Sequence, residues 1–155
     1  MFKYGILSTA SIIDRFVAGI RESKDGHVQA LASRTLDNAK KAAKRLDINN
    51  YYGSYEELYK DNDIDIIYIP TVNGYHYRDC KNALKHHKHV IVEKPFTLSI
   101  QDAKELFDLA KNNNCFLMEA QKAVFLPSTN KVKQLIDDKI IGELKYIEFK
   151  AGFPG

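Results

Sequence analysis

Short apolar runs alternate with segments of helical period along nearly the whole chain, and this rhythm restricts the fold more than any other feature. Lys3–Ser8, His27–Ser33, Asp65–Ile69, His89–Glu93 and Cys115–Ala120 are rich in Val, Ile, Leu, Phe and Ala, and a smaller run lies at Asn50–Tyr52. Runs of that length and make-up suit parallel strands covered on both faces. Between them, Ser11–Glu22, Leu36–Leu46 and Tyr75–His86 read as helices. Ser54-Tyr55-Glu56-Glu57 is a capping box that starts a short helix, and Ser99 caps another with Ile100, Ala103, Leu106, Phe107 and Ala110 on one face. Strand, helix, strand in repetition predicts an α/β fold with a doubly wound parallel sheet and right-handed crossovers.

The rhythm breaks near the end. Phe125–Asp138 reads as a helix entered through Pro127, and Gly142 turns the chain into an alternating segment, Leu144–Phe153. Alternation suits a half-exposed strand of a different, antiparallel sheet. The expected organisation is therefore a first domain over 1–122, then a connecting helix and the first strand of a truncated α+β second domain over 123–155.

The chain has 155 residues, of which 45% are apolar and 28% charged, with a net charge of +3. That balance belongs to an ordinary globular protein. Lys and Arg are dispersed rather than blocked, which argues against nucleic acid or a membrane surface as partner. No apolar run approaches the length of a membrane span, and Asp14 and Arg15 interrupt the one stretch resembling an export signal. Cys80 and Cys115 lack metal-ligand spacing, so reduced thiols and a cytoplasmic location are expected. His86, His87 and His89 are interleaved with lysines and have no carboxylate or thiolate beside them, so no metal site is expected.

Chemistry concentrates where strands end. The first turn is Ser8-Thr9-Ala10-Ser11-Ile12-Ile13. A pyrophosphate fingerprint of the G-x-G-x-x-G type would put glycines at positions 8, 10 and 13, and Ser8, Ala10 and Ile13 stand there instead. Small residues at 8 and 10 still let a phosphate approach free N–H groups at a helix start, and hydroxyls are at hand. On this segment alone, a phosphate cradle and a plain tight turn both stay open. The second strand runs into Ser33-Arg34-Thr35. An NAD site ordinarily has a carboxylate there for the ribose 2′-hydroxyl, whereas a hydroxyl and a guanidinium fork suit a 2′-phosphate, so NADP is favoured over NAD. The fourth run leads into Thr71-Val72-Asn73-Gly74-Tyr75-His76, on the side where open α/β sheets bind ligands. Taken singly, Asn73 reads as a helix cap and His76 as a surface histidine. Finally, Val90-Ile91-Val92 ends in Glu93-Lys94-Pro95. The proline stops the strand and aims Lys94 into the cleft, where an ammonium stabilises charge developing on a reacting hydroxyl. The competing reading is a structural Glu93–Lys94 pair.

In that order, Gly5–Ile12, Ser33-Arg34, Thr71, Asn73 through His76 and Glu93-Lys94-Pro95 resemble the Gfo/Idh/MocA oxidoreductase family. Tyr52-Gly53-Ser54-Tyr55-Glu56-Glu57-Leu58, Phe116-Leu117-Met118-Glu119-Ala120 and Phe125-Leu126-Pro127 are similar to its branch of dimeric dihydrodiol dehydrogenases and NADP-dependent xylose dehydrogenases. Where that branch often has Trp and Arg after Glu-Ala, this chain has Lys122 and Val124. The resemblance implies a Rossmann domain followed by an open-faced β-sheet domain.

By the same resemblance, Ser8, Thr9, Ala10, Ser11 and Ile12 meet the pyrophosphate, and Ser33 and Arg34 form the 2′-phosphate pocket. Thr71, Asn73 and His76 lie along the nicotinamide half of the cofactor. Lys94 is the catalytic residue beside the substrate hydroxyl, fixed by Glu93 and a cis Pro95. The family's catalytic Tyr or His belongs to the second domain, beyond Gly155. The expected function is NADP-dependent hydride transfer to or from a CH–OH carbon of a sugar, cyclitol or trans-diol in a homo-oligomer, with this chain supplying the cofactor half. The alternatives are a non-catalytic NADP-binding regulatory or sensing domain and an S-adenosylmethionine methyltransferase. The second is disfavoured by Arg34, which stands where an acidic ribose clamp would be needed.

Overall fold

The computed structural model describes residues 1–150 and 152. Six strands, β1 (Phe2–Leu7), β2 (Gly26–Ala32), β3 (Asn50–Tyr52), β4 (Ile66–Ile69), β5 (His89–Val92) and β6 (Leu117–Glu119), form one parallel sheet in the order β3-β2-β1-β4-β5-β6. The connecting helices are α1 (Ile13–Ser23), α2 (Leu36–Leu46), α3 (Tyr55–Lys60), α4 (His76–Lys85) and α5 (Ile100–Asn112). This is the doubly wound α/β arrangement that the alternating pattern predicts. Its order reverses between β1 and β4, which opens a crevice beyond their carboxyl ends.

Strand residues sort onto the two faces by parity. Leu7, Ala30, Ala32, Ile67, Ile69, Val90 and Val92 enter one buried cluster with Leu58, Cys80, Leu84 and Leu106. Their neighbours Ile6, Leu31 and Tyr68 enter a second, with Ile13, Val17, Ala39, Ala43 and Leu46. Two apolar faces on one sheet explain why the strands read as continuous apolar runs. Gly5 packs closely: a β-carbon there would lie 2.9 Å from Cδ1 of Ile64, which would have to shift.

Helix starts follow the caps. Thr35, Ser54 and Ser99 each accept a hydrogen bond from the N–H three residues on, at the heads of α2, α3 and α5. The helix α1 begins at Ile13, with Ser11 and Ile12 in the turn before it and no side-chain cap. On α5 the expected apolar face is only partly buried: Leu106 and Ala110 are covered, while Ile100 and Phe107 are exposed. At the opposite end of the sheet from the crevice, the buried Lys88 ammonium donates to the carbonyl oxygens of Asp61 (2.6 Å) and Ile64 (2.8 Å). Burial pulls its pKa below the ordinary lysine value.

The chain divides into two compact units after Ala120. The second contains a 3₁₀ turn, Lys122–Phe125, and helix α6 (Pro127–Asp137), with Pro127 in its first turn. The expected strand from Leu144 is not formed over residues 144–150, and its remaining positions 151 and 153 lie outside the described residues. A strand is defined by its ladder of hydrogen bonds, and no described strand pairs with this segment. Among the described residues, no helix is long and apolar enough to cross a membrane.

Candidate functional site

The carboxyl end of β1 supplies the floor of the crevice. Ser8 donates its N–H to Ala32 O (2.9 Å), which locks the turn onto β2. Ser8 has φ +112°, a conformation that favours glycine, so the backbone keeps a glycine-type turn with a serine in it. The Ser8 hydroxyl oxygen accepts from the N–H of Ala10 at 3.2 Å. Among the described residues, the N–H groups of Thr9, Ser11 and Ile12 have no hydrogen-bond partner. Unpaired donors at the start of a helix are groups that can receive an anion.

Ser33 is buried and Arg34 exposed at the end of β2. Ser33 donates its N–H to Tyr52 O (3.1 Å), which fixes the bend that carries Arg34 outward. Among the described residues Arg34 forms no ion pair. Ser8, Thr9, Ser33, Arg34 and Thr71 line one cleft of about 210 Å³. Five positions singled out from the sequence thus meet on one wall, drawn from the ends of β1, β2 and β4.

Asn38, Tyr55, Val72, Tyr75 and Arg78 line the same cleft and were not expected. Tyr55 follows the cap of α3 and so projects at a helix start, a position the capping box already marked. Tyr75 and Arg78 are three residues apart, a spacing that puts side chains on one helical face. The Arg78 guanidinium lies 4.4 Å from the centre of the Tyr75 ring.

His76 is fully buried beneath the cleft rather than on its wall. Its Nδ1 is 2.8 Å from Pro95 O and its Nε2 is 2.9 Å from Thr71 O. Both ring nitrogens are engaged by backbone, so the surface-histidine reading is overturned, and the ring has no nitrogen left for direct contact with a ligand. The reason is local: His76 is the first residue of α4 and turns inward between the loops that follow β4 and β5. The Thr71 hydroxyl donates to Oδ2 of Asp79 at 2.8 Å, within the same buried network.

Lys94 is exposed and follows β5, with a cis peptide bond to Pro95. The competing reading, a Glu93–Lys94 ion pair, is not what the structure has. Oε1 of Glu93 accepts from the Tyr68 hydroxyl (2.7 Å) and Oε2 from the backbone N–H of Lys94 (3.3 Å). Glu93 therefore anchors the Lys94 backbone and leaves the ammonium unclaimed. The N–H of Phe96 donates to Oε1 of Glu119 at 2.7 Å, tying the far side of this turn to β6. Asn73, exposed in the 3₁₀ turn Asn73–Tyr75, Glu93 and Lys94 do not line the 210 Å³ cleft.

A glycine-type turn with free N–H groups, a β2 end without a carboxylate, and a lysine turn thus stand at the carboxyl ends of β1, β2 and β5. The oxidoreductase family with an NAD-binding Rossmann fold, Gfo/Idh/MocA, matches residues 2–121. The chain belongs to this family. Among curated proteins, the trans-1,2-dihydrobenzene-1,2-diol dehydrogenase of Xenopus laevis is 38% identical over 154 residues, covering 98% of this chain and 47% of the relative. The scyllo-inositol 2-dehydrogenase (NADP(+)) of Bacillus subtilis is 30% identical over 134 residues, covering 86% of this chain and 41% of the relative. A solved 3-ketoreductase from Actinomadura kijaniata, in complex with NADP and TDP-benzene, superposes with a TM-score of 0.84 at 29% identity. That alignment covers 92% of this chain and 44% of the other. This Gfo/Idh/MocA chain thus spans less than half the length of the relatives it matches.

Proposed function

We propose that this chain is the cofactor-binding half of an NADP-dependent oxidoreductase acting on a CH–OH carbon of a sugar, cyclitol or trans-diol. The observation that carries the reading is the end of β2, where Ser33 and an ion-pair-free Arg34 stand at the cleft and no carboxylate does. A carboxylate would repel a 2′-phosphate; a guanidinium fork binds it through two charge-assisted hydrogen bonds. The residues fit a dinucleotide because the Ser8 turn keeps its backbone open and leaves the Thr9, Ser11 and Ile12 N–H groups unpaired. When bound, the nicotinamide supplies the hydride acceptor or donor.

Each residue then has one task. Thr9, Ser11 and Ile12 hold the pyrophosphate by backbone N–H groups, and the small Ser8 and Ala10 let it approach the turn. Thr71 and Asn73 border the nicotinamide side, and His76 fixes their loop from below. Glu93 secures the Lys94 backbone, and the Lys94 ammonium stabilises negative charge on the substrate oxygen while hydride is exchanged. The proton partner is assigned to a second domain, the location to the cytoplasm and the assembly to a homo-oligomer.

Calorimetric titration with NADPH and NADH tests the reading. NADPH is expected to bind roughly tenfold tighter or more, and Arg34→Met to remove the difference. Equal affinities, or tighter NADH, would overturn it. Lys94→Ala is expected to remove much of the turnover of the whole protein; a cofactor-dependent output that survives the substitution would instead favour a non-catalytic regulatory or sensing module.

A further inference from the structure

We propose that Arg78 is the second cation of the adenosine 2′-phosphate pocket, lining with Arg34 and Tyr55 the same cleft. The inference rests on the NADP reading above and adds to it a residue from a different element, α4 rather than the β2 end.

Arg34, Tyr55 and Arg78 are the three residues shared by two adjoining clefts, of about 210 Å³ and about 360 Å³. The two guanidinium groups act on the Tyr55 hydroxyl in the same sense. Burial, and then the Asp79 carboxylate, push its pKa up, while Arg34 and Arg78 both pull it back. The hydroxyl stays protonated and available as a donor.

Arg78 is built into its position. Its Nε and Nη2 both lie 2.8 Å from Oδ1 of Asp79, a carboxylate only 1% exposed. The Tyr75 ring supports the guanidinium plane, 4.4 Å away. The single acceptor oxygen uses one edge of the fork, so Nη1 has no partner among the described residues. The side chain is 54% exposed, on the cleft side. Asp79 is itself shared with the Thr71 hydroxyl (2.8 Å), and the remaining carboxylate at these clefts, Glu56, is paired with Lys60 at 2.9 Å. At the Tyr55 hydroxyl the two guanidinium groups thus oppose the Asp79 carboxylate.

A phosphate monoester near neutral pH carries between one and two negative charges and three terminal oxygens. One guanidinium satisfies two of those oxygens at most. Among the described residues Arg34 forms no ion pair and no cation–π contact, whereas Arg78 is held by Asp79 and Tyr75. A held cation and an unpaired one at the same cleft together match the charge of a 2′-phosphate and leave the 2′-hydroxyl of NADH without a matched partner.

The test uses the full chain with 2′,5′-ADP and 5′-ADP as calorimetric probes, which differ by the 2′-phosphate alone. Arg78→Met is expected to weaken 2′,5′-ADP roughly tenfold while 5′-ADP changes less than about twofold, and Arg78→Lys is expected to fall between. Arg78→Lys keeps a cation beside Asp79, so it remains informative if the methionine variant does not fold, as thermal melts will report. Equal loss of both probes would make Arg78 a pyrophosphate, adenine or folding residue and would overturn the proposal. No loss of either would do the same. A wild-type chain that binds both probes alike would sink the NADP reading as well. A wild-type preference that responds to Arg34→Met and not to Arg78→Met would sink the Arg78 role alone.

Discussion

The imidazole of His76 joins the Pro95 carbonyl, at 2.8 Å from Nδ1, to the loop after β4, through the Thr71 carbonyl at 2.9 Å from Nε2. One buried side chain thereby ties together the two turns that carry Thr71 and Lys94. Whichever tautomer is present, removing the ring leaves at least one buried carbonyl without its donor. His76→Ala is expected to lower unfolding free energy by about 2–4 kcal/mol, from the orphaned acceptor and the cavity together. Denaturant melts check the magnitude. Faster hydrogen exchange at the Lys94 and Phe96 amides checks that the loss loosens this turn specifically.

Tyr68 makes a parallel case on the other side of Lys94. Its ring stacks on Phe16 with centroids 3.8 Å apart, and its hydroxyl donates to Glu93 at 2.7 Å. Tyr68→Phe preserves the stack and deletes the donor to a carboxylate, for an expected cost of about 1.5–3 kcal/mol. Urea denaturation measures it. A loss below the scatter of the fits would mean that Glu93 finds an equivalent partner in water.

The architecture was legible because strand and helix signals agreed at every step through Glu119, and the caps Thr35, Ser54 and Ser99 all lie in the sequence beside their helices. The cleft was half legible. Ser8, Thr9, Ser33, Arg34 and Thr71 sit at strand ends, where position along the chain already implies position in the crevice. Arg78 and Tyr55 reach it from two different helices, α4 and α3, a tertiary relation with no local signature. The side-chain partners of His76 and Glu93 were not legible for a related reason. Their partners, Pro95 O, Thr71 O and the Tyr68 hydroxyl, are a backbone and a core tyrosine that periodicity treats as apolar filler. The segment from Leu144 shows the opposite limit: alternation describes a willingness to pair, and pairing needs a neighbour.

High pH should unfold the protein through its buried phenols. Burial, then Asp61, pushes the Tyr52 pKa up from 10.0 to about 12. Burial is likewise the leading cause at Tyr59, where Asp79 adds to it, and at Tyr68, where Glu93 does, and both lie higher still. A raised phenol pKa in the folded state means that the native protein keeps protons the unfolded chain has released. Stability is therefore fully present below pH 10 and falls as pH rises through the window from 10 to about 12 and beyond. Phenolate absorbance should appear late for these residues and coincide with loss of helical signal. The Tyr68→Phe variant should lose stability less steeply across that range.

Ser8 gives the sharpest test of the turn itself. At φ +112° a side chain is strained whatever space surrounds it, and a β-branched one is strained most. Ser8→Gly removes that strain and gives up the 3.2 Å bond from the Ala10 N–H. The two effects oppose each other at about 1 kcal/mol each, so near-neutral stability is expected. Ser8→Val keeps the strain, adds bulk against the Thr9–Ile12 donors and is expected to lose about 1–3 kcal/mol. Its affinity for pyrophosphate-containing ligands should drop with the stability, whereas Ser8→Gly should retain that affinity. Thermal melts paired with 5′-ADP titration separate the two variants, and a valine variant as stable and as competent as wild type would show that the turn does not need its glycine-like backbone.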